Sequence, residues 1–295
     1  MPKSKWNLNT IYISERLQES LRPISRCAMT TVVAPMGYGK TTAVEWYLAE
    51  RAGAEAPYIV RISVYSSNLA IFWKSVQDAF ARAGFAFLRE YDCPTDGASG
   101  GLLIDDLCHA LTGEKSCYIF IDDFHLLTDK RAPGFLCALA GRLPPNVHLI
   151  LASRDLFLPA AELVRLGGKV YQIGTAQLRL NHTELAVYTK RCGTALSDEQ
   201  IDTLLYYSEG WFSAVYLNLR MFSEHGVLPD PNSDISSIFT AAMIDPLPEK
   251  QREFLAVMGL ADEFTVEMAQ FVMADAHAED LLAALTGQNA VVKRL

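Results

Sequence analysis

The pattern of apolar and polar positions over residues 1–175 predicts five strands and six helices. Short apolar runs predict strands at residues 29–33, 57–62, 118–121, 147–152 and 169–173, of which those at 29–33 and 118–121 are expected to be buried. Apolar residues at helical spacing predict helices at residues 14–21, 43–50, 69–82, 102–111, 133–142 and 159–166. The segment Cys93 to Gly101 is rich in turn residues and predicts a mobile loop. Strands that alternate with helices favour an α/β fold, in which a parallel sheet is covered on both faces and the ligand binds where the strands end.

After Gly174 the strand pattern stops and only helical spacing remains. Residues 176–233 are therefore interpreted as a small helical domain, with Ser197 as an N-cap and helices at residues 182–191, 197–208 and 211–224. Residues 229–233 predict a linker, and more short helices are predicted at residues 235–244, 248–260, 265–273 and 278–285. The chain stops within a strand-like run at residues 290–292, which suggests a fragment of a longer polypeptide.

A phosphate-binding loop is predicted directly after the first strand. The segment APMGYGKTT, residues 34–42, matches the pattern G-x-x-x-x-G-K-[ST] except that Ala34 replaces the first glycine, where the strand ends. In such loops, backbone amides and a helix N-terminus surround the phosphates, the lysine reaches the β/γ oxygens and the hydroxyl binds Mg²⁺. Lys40 and Thr41 take these last two roles. The predicted nucleotide-binding residues are Met36, Gly37, Tyr38, Gly39, Lys40, Thr41 and Thr42.

Two adjacent carboxylates follow the third predicted strand. A buried strand that delivers acid at its carboxyl end is the Walker B arrangement, so Asp122 is predicted to hold Mg²⁺. Asp123 lies one residue further, where a carboxylate could orient or deprotonate the attacking water. The alternative is that both residues only end a strand and cap a turn.

The fourth predicted strand runs directly into Ser153 and Arg154. In P-loop ATPases whose sensor strand lies between the loop strand and the Walker B strand, a polar residue at this end points at the γ-phosphate. Arg154 is therefore the candidate residue that distinguishes ATP from ADP, because its guanidinium group can donate two hydrogen bonds to phosphate oxygens. An ordinary exposed arginine at the start of a loop is the alternative.

Charge is distributed unevenly along the chain. Residues 1–196 carry a net charge of +3 and residues 197–295 a net charge of −11, which together give −8. An acidic C-terminal third is a poor surface for duplex DNA.

The six cysteines form no C-x-x-C pair, and no membrane span or signal peptide is seen, so a reducing cytoplasmic location without membrane contact is expected.

These motifs together resemble the ATPase module of the large LuxR-type transcriptional regulators, the family of the maltose-regulon activator, within the signal-transduction ATPases with numerous domains. Besides the phosphate-binding loop, the resemblance rests on Trp46, the run Asp122 to Leu127, the segment Ala152 to Arg154, and Leu178 to Leu180 with Glu184. The segment Glu209 to Trp211 also contributes. The run with His125 is the most specific of these.

The resemblance implies a P-loop ATPase domain in residues 1–175, followed by the helical domain and an incomplete winged-helix domain in residues 234–295. It also implies an ATP/ADP switch with Mg²⁺, in which ADP holds a closed form while inducer and ATP promote self-association. Inducer and DNA would be bound by domains absent from this chain. Related ATPases often have a proline near the adenine at the position of Phe212, so base contacts cannot be transferred.

Two aromatic residues have open roles at this point. Trp211 is expected to anchor the core of the helical domain rather than to pack near the base. His125 either relays the nucleotide state to the following loop or is a locally hydrogen-bonded histidine.

Three functions remain to be compared. The leading prediction is a slow ATPase that acts as a regulatory switch, and the second is a nucleotide-gated interaction module with tightly bound ADP and negligible hydrolysis. The third, a small-molecule kinase, is disfavoured because the sequence has no arginine-rich lid. GTP is disfavoured because no N-K-x-D-like segment occurs.

Overall fold

The computed structural model describes residues 7, 10–225, 228, 247–261, 264–275 and 278–288. The predicted linker at 229–233, the predicted helix at 235–244 and the strand-like run at 290–292 lie outside the described residues.

A five-stranded parallel sheet forms the centre of the first domain, as the pattern predicted. Its strands are β1 (Met29–Val33), β2 (Tyr58–Ser63), β3 (Cys117–Asp122), β4 (Val147–Ser153) and β5 (Val170–Ile173). They lie in the order β2-β3-β4-β1-β5. The strand β4 therefore separates the strand that leads into the phosphate-binding loop from the strand that ends in the two carboxylates.

Helices cover both faces of the sheet. They are α1 (Glu15–Leu21), α2 (Lys40–Glu55), α3 (Leu69–Arg82), α4 (Gly97–Leu111), α5 (Arg131–Arg142), α6 (Ala160–Leu166) and α7 (Thr175–Leu178). Successive side chains of a strand point to opposite faces. On β3, Ile119 and Ile121 accordingly join one buried cluster with α3, α4 and α5, while Tyr118 and Phe120 join a second cluster with α1 and α2.

Two helices begin three or more residues earlier than the pattern predicted, and α5 begins two residues earlier. The helix α2 starts at Lys40 rather than at residue 43, directly after the loop glycines. The helix α4 starts at Gly97 rather than at residue 102, so the prediction of a mobile loop from Cys93 to Gly101 is wrong for its last five residues. The reason is an N-cap, because the Asp96 carboxylate accepts a hydrogen bond of 2.8 Å from the Ser99 backbone N–H.

The short helix α7 was not predicted, whereas the described helices after it were correctly predicted as elements, with ends that differ by a few residues. The helices α8 (His182–Arg191), α9 (Asp198–Ser208) and α10 (Phe212–His225) enclose a core of their own around Leu185, Tyr188 and Leu204. Further along are α11 (Glu249–Met258), α12 (Val266–Met273) and α13 (Ala278–Gln288), which share a separate core. Within the described ranges, no helix has the length and apolar character that a membrane crossing requires.

Candidate nucleotide-binding site

The loop between β1 and α2 has the backbone shape of a phosphate cradle. Gly37 and Gly39 have φ angles of +79° and +76°, a region that residues with side chains rarely adopt. Gly39 is the N-cap of α2, and no described side chain caps that end of the helix. The first N–H groups of α2 are therefore not bonded by a capping side chain, and a helix N-terminus of this kind favours an anion.

Lys40 is held against this loop. Its ammonium group donates hydrogen bonds to the Ala34 carbonyl at 2.7 Å and the Pro35 carbonyl at 3.0 Å, and the residue is only 8% exposed. Burial lowers the pKa of Lys40, and the nearby Arg154 lowers it further, against the opposing effect of Asp123 and Asp122. An anion placed beside Lys40 and Arg154 would relieve their mutual repulsion, which is what a phosphate chain would supply.

Thr41 and Asp122 meet across the sheet edge. The Thr41 hydroxyl donates a 2.8 Å hydrogen bond to Asp122 Oδ2, and the other carboxylate oxygen accepts from the Asp123 backbone N–H at 2.9 Å. Burial raises the pKa of Asp122, and neighbouring Asp123 adds to that rise. A divalent cation would offset this cost of burying a carboxylate, and hydroxyl and carboxylate oxygens are the ligands that Mg²⁺ accepts together with phosphates.

Across the described part of the chain, no group of three or more His, Cys, Asp or Glu side chains is arranged to hold an ion. Mg²⁺ needs no such cage, because it keeps several waters and takes one or two protein oxygens.

Asp123 and His125 lie beside this pair. Asp123 has a φ angle of +54°, unusual for a residue with a side chain, and its Oδ1 lies 4.0 Å from His125 Nδ1. The His125 side chain is 9% exposed, and neither ring nitrogen has a hydrogen-bond partner among the described residues. The interpretation as a locally hydrogen-bonded histidine is therefore wrong. Burial, with Arg154 and Lys40 nearby, lowers the pKa of His125 to about 4, so the imidazole is neutral at pH 7.

Arg154 reaches the loop from the central strand β4. That strand pairs with β1 so that Ser153 lies beside Val33, which puts the next residue at the mouth of the loop. Arg154 Nη2 lies 3.9 Å from the sulfur of Met36. The sensor role of Arg154 stays a prediction. Its position suits that role, because the cation lies at the edge of the sheet where the phosphate-binding loop, Asp122 and Asp123 are found; this edge is called the phosphate edge below.

The helical domain contacts the same loop. The Trp211 indole N–H donates to the Met36 carbonyl at 2.9 Å, the ring stacks on Tyr38, and Ser213 N–H donates to the Gly37 carbonyl at 3.1 Å. The expectation that Trp211 anchors the helical core is therefore wrong. Phe212 takes that position and packs on Tyr188, with ring centroids 5.2 Å apart.

A cavity of about 230 Å³ opens beside the phosphate loop, and the sequence did not predict it. Gly39 and Thr42 form its inner wall, the segment Thr10 to Leu17 forms another wall, and Leu180, Phe212 and Tyr216 of the helical domain complete it. Arg16 closes one corner, because it donates to both Glu184 carboxylate oxygens at 2.9 Å. Four segments that are separate in sequence build this cavity, so no local motif could have revealed it.

All the predicted site residues thus lie at one edge of the sheet. Lys40, Thr41, Asp122, Asp123 and Arg154 come from the carboxyl ends of the neighbouring strands β1, β4 and β3 or the segments that follow them. Such an arrangement can bind a phosphate chain with a metal ion and hold a carboxylate near it. The individual roles remain predictions.

Comparisons with known proteins match this picture. Residues 240–295 match the model of the MalT winged helix domain family. The HTH-type transcriptional regulator MalT of Vibrio campbellii is 21% identical, over 96% of this chain and 32% of that protein. MalT of Yersinia pestis is 22% identical, over 97% of this chain and 33% of that protein. The chain thus spans about a third of the length of the curated relatives it matches.

A solved structure supports the fold. The Walker-type ATPase PABY2304 of Pyrococcus abyssi superposes with a TM-score of 0.52 at 13% identity, over 98% of this chain and 93% of that one. Together with the parallel sheet and the loop geometry, this likeness establishes the P-loop NTPase fold class. The resemblance that the sequence motifs indicated is confirmed: this chain resembles the ATPase module of the large LuxR-type, MalT-like transcriptional regulators.

Proposed function

We propose that this chain is the nucleotide-switch module of a LuxR-type transcriptional regulator, which binds ATP or ADP with Mg²⁺ and changes its contacts with the nucleotide state. The observation that supports this proposal best is the convergence of Lys40, Thr41 and Asp122 at the mouth of a glycine loop, with the 2.8 Å hydrogen bond from Thr41 to Asp122. That pair would hold Mg²⁺, whose charge would help to neutralise the phosphates.

The base of the nucleotide would occupy the cavity beside the loop. Its inner wall is Gly39 and Thr42, so an adenine held there would continue directly from phosphates bound at the start of α2. Phe212 and Tyr216 offer aromatic surface, and the segment Thr10 to Leu17 offers backbone polar groups for a planar base.

The helical domain would report the nucleotide state. Trp211 and Ser213 bond to carbonyls of Met36 and Gly37 inside the loop itself. A γ-phosphate that draws Arg154 or Lys40 toward itself would change the shape of the loop, and with it the hydrogen bonds of Trp211 and Ser213. We propose that residues 1–175 form the nucleotide domain, residues 176–233 the helical domain and residues 234–295 the winged-helix domain. We also propose that the ATP state self-associates. Inducer and DNA would bind to other parts of the regulator.

Binding is tested by calorimetry with ATP and ADP on the Lys40→Ala variant. Each charge-assisted hydrogen bond contributes about 1.5–3 kcal/mol, so the affinity should fall at least about tenfold. Lys74→Ala is the matched control, because Lys74 is exposed on α3 and pairs with Asp78. Equal affinity in the wild type and Lys40→Ala would refute the loop assignment.

Hydrolysis is tested separately from binding. Asp123→Asn keeps the size of the side chain but removes the base, so it should bind nucleotide normally and lose phosphate release. Persistent turnover would require a different base. The alternative, a nucleotide-gated module with tightly bound ADP and negligible hydrolysis, predicts no phosphate release by the wild type. Size-exclusion profiles with ADP and with a non-hydrolysable ATP analogue then show whether the ATP state self-associates.

A further inference from the structure

A second cavity lies over the face of the sheet that carries Ile119 and Ile121. It measures about 390 Å³, is partly open to solvent and is bordered by α3, α4 and α5. Its lining is mainly aliphatic and aromatic, with Phe72, Trp73 and Phe135 among its walls. Nothing in the proposed nucleotide chemistry uses this space.

The cavity exists because the start of α4 has no side-chain volume. Gly97, Gly100 and Gly101 lie on the same helix face as Ile104 and Leu107, and all five line the cavity. A Cβ built on Gly101 meets no atom within 4 Å. Glycine in a helix costs up to about 1 kcal/mol relative to alanine, so this opening is maintained against helix propensity.

The Trp73 indole and the two arginines at the walls already have partners. The Trp73 indole N–H donates to the Tyr91 carbonyl at 3.0 Å, Arg131 pairs with Asp129 at 2.7 Å, and Arg142 pairs with Asp105 at 2.9 Å. The cavity therefore offers apolar surface rather than an unmatched charge, which selects against anions and cations alike.

The segment that supplies Leu88 to the cavity is held in place by hydrogen bonds. Gln77 donates to the Leu88 and Tyr91 carbonyls at 2.9 Å each, and the Tyr91 hydroxyl donates to Asp106 of α4 at 2.6 Å. These bonds link α3 to α4 through residues 88–91. A space supported in this way is a preformed site rather than a gap that would collapse.

We propose that this cavity is a binding site for a small, neutral, largely apolar molecule. Its volume falls within the range of about 300–1,000 Å³ that ligand sites occupy, and it exceeds the roughly 150 Å³ of an engineered apolar cavity that stays dry and binds benzene. Phe124 lines the cavity one residue after Asp123, so an occupant contacts the segment that carries the predicted catalytic carboxylate.

The test uses N-phenyl-1-naphthylamine, a neutral aromatic probe that fluoresces in apolar surroundings, and it requires no nucleotide. Its outcome is therefore independent of the proposed ATP site. The expected result is saturable binding of one probe per chain, with energy transfer from tryptophan that falls in Trp73→Phe. Two variants fill the space from different helices: Gly101→Leu on α4 and Ala138→Leu on α5. Each should weaken probe binding at least tenfold.

Gly53→Leu is the matched control, because Gly53 lies exposed on α2 with open space around it and away from the cavity. It should bind the probe as the wild type does. Circular dichroism verifies that the filled variants fold, and Gly101→Leu gains helix propensity, which favours its folding. Non-saturable binding to the wild type overturns the proposal, as does wild-type affinity in either filled variant that folds.

Discussion

Two helices of this chain begin in glycine-rich segments, and their starts differ in almost every physical respect. Before α2, Gly37 and Gly39 have positive φ angles, and no described side chain caps the helix. At the start of α4, the glycines have ordinary helical backbone, and Asp96 caps the first turn with its carboxylate. One start therefore leaves N–H groups for an external anion, whereas the other satisfies its N–H groups internally.

The difference shows that glycine has two separate uses here. In the phosphate loop it allows a backbone conformation that brings amides around a ligand. In α4 it removes volume and leaves an apolar cavity above the sheet. The first use belongs to a motif with a lysine and a hydroxyl, which a sequence reveals, while the second has no signature beyond composition.

The largest expected effect comes from Gly37→Ala. A residue with a side chain at a φ of +79° costs about 1–2 kcal/mol, and its Cβ would lie 2.7 Å from Trp211 Nε1, so overpacking adds about 1–3 kcal/mol. The free energy of unfolding should fall by about 2–5 kcal/mol in total, with weaker nucleotide binding. Denaturant unfolding and calorimetry measure the two effects.

Gly39→Ala is the control for that experiment, because Gly39 has a φ of +76° but open space around it. Its free energy of unfolding should fall only by the cost of the backbone conformation, about 1–2 kcal/mol. Equal losses in the two variants would contradict the close approach of Ser213 and Trp211 to Gly37.

The free energy of unfolding should fall at acid pH because His125 is buried in its neutral form. Its pKa is about 4 in the folded chain and about 6.5 when unfolded, so the unfolded state binds more protons between these values. The contribution of neutral His125 to the free energy of unfolding is fully present above pH 6.5. It is lost as the pH falls toward 4, and the loss reaches about 3 kcal/mol at pH 4. His125→Gln should reduce this loss in unfolding titrations.

His148 provides the comparison within the same experiment. It is buried, its Nδ1 lies 2.9 Å from the Cys27 carbonyl, and burial lowers its pKa as well, so part of the acid loss should remain in His125→Gln. Parallel stability curves for the wild type and His125→Gln would contradict the burial of a neutral His125.

The smallest expected effect is a gain. Gly101→Ala replaces a helical glycine whose Cβ position is open, so the free energy of unfolding should rise by about 0.5–1 kcal/mol. Thermal unfolding measures the gain. Destabilisation by this variant would contradict the open space at the start of α4.

Several features followed from local sequence, and others did not. The three central strands β1, β3 and β4 were predictable because each is an apolar run buried on both faces. The start of α4 was mispredicted because its glycines read as a turn, whereas the Asp96 cap and the apolar face of α4 outweigh their low propensity. Trp211 was misassigned because its partner Met36 is 175 residues away in sequence.

The amino-acid sequence by itself determined the α/β class, the order of the elements along the chain and the residues of the phosphate edge. These depend on periodicity and on contiguous motifs, which act over a few residues. Only the tertiary structure decided that β4 lies between β1 and β3, that Phe212 and Tyr216 border a cavity beside the loop, and that α4 leaves an apolar space. Those features arise where distant segments pack together, and packing depends on shape and volume that no single segment encodes.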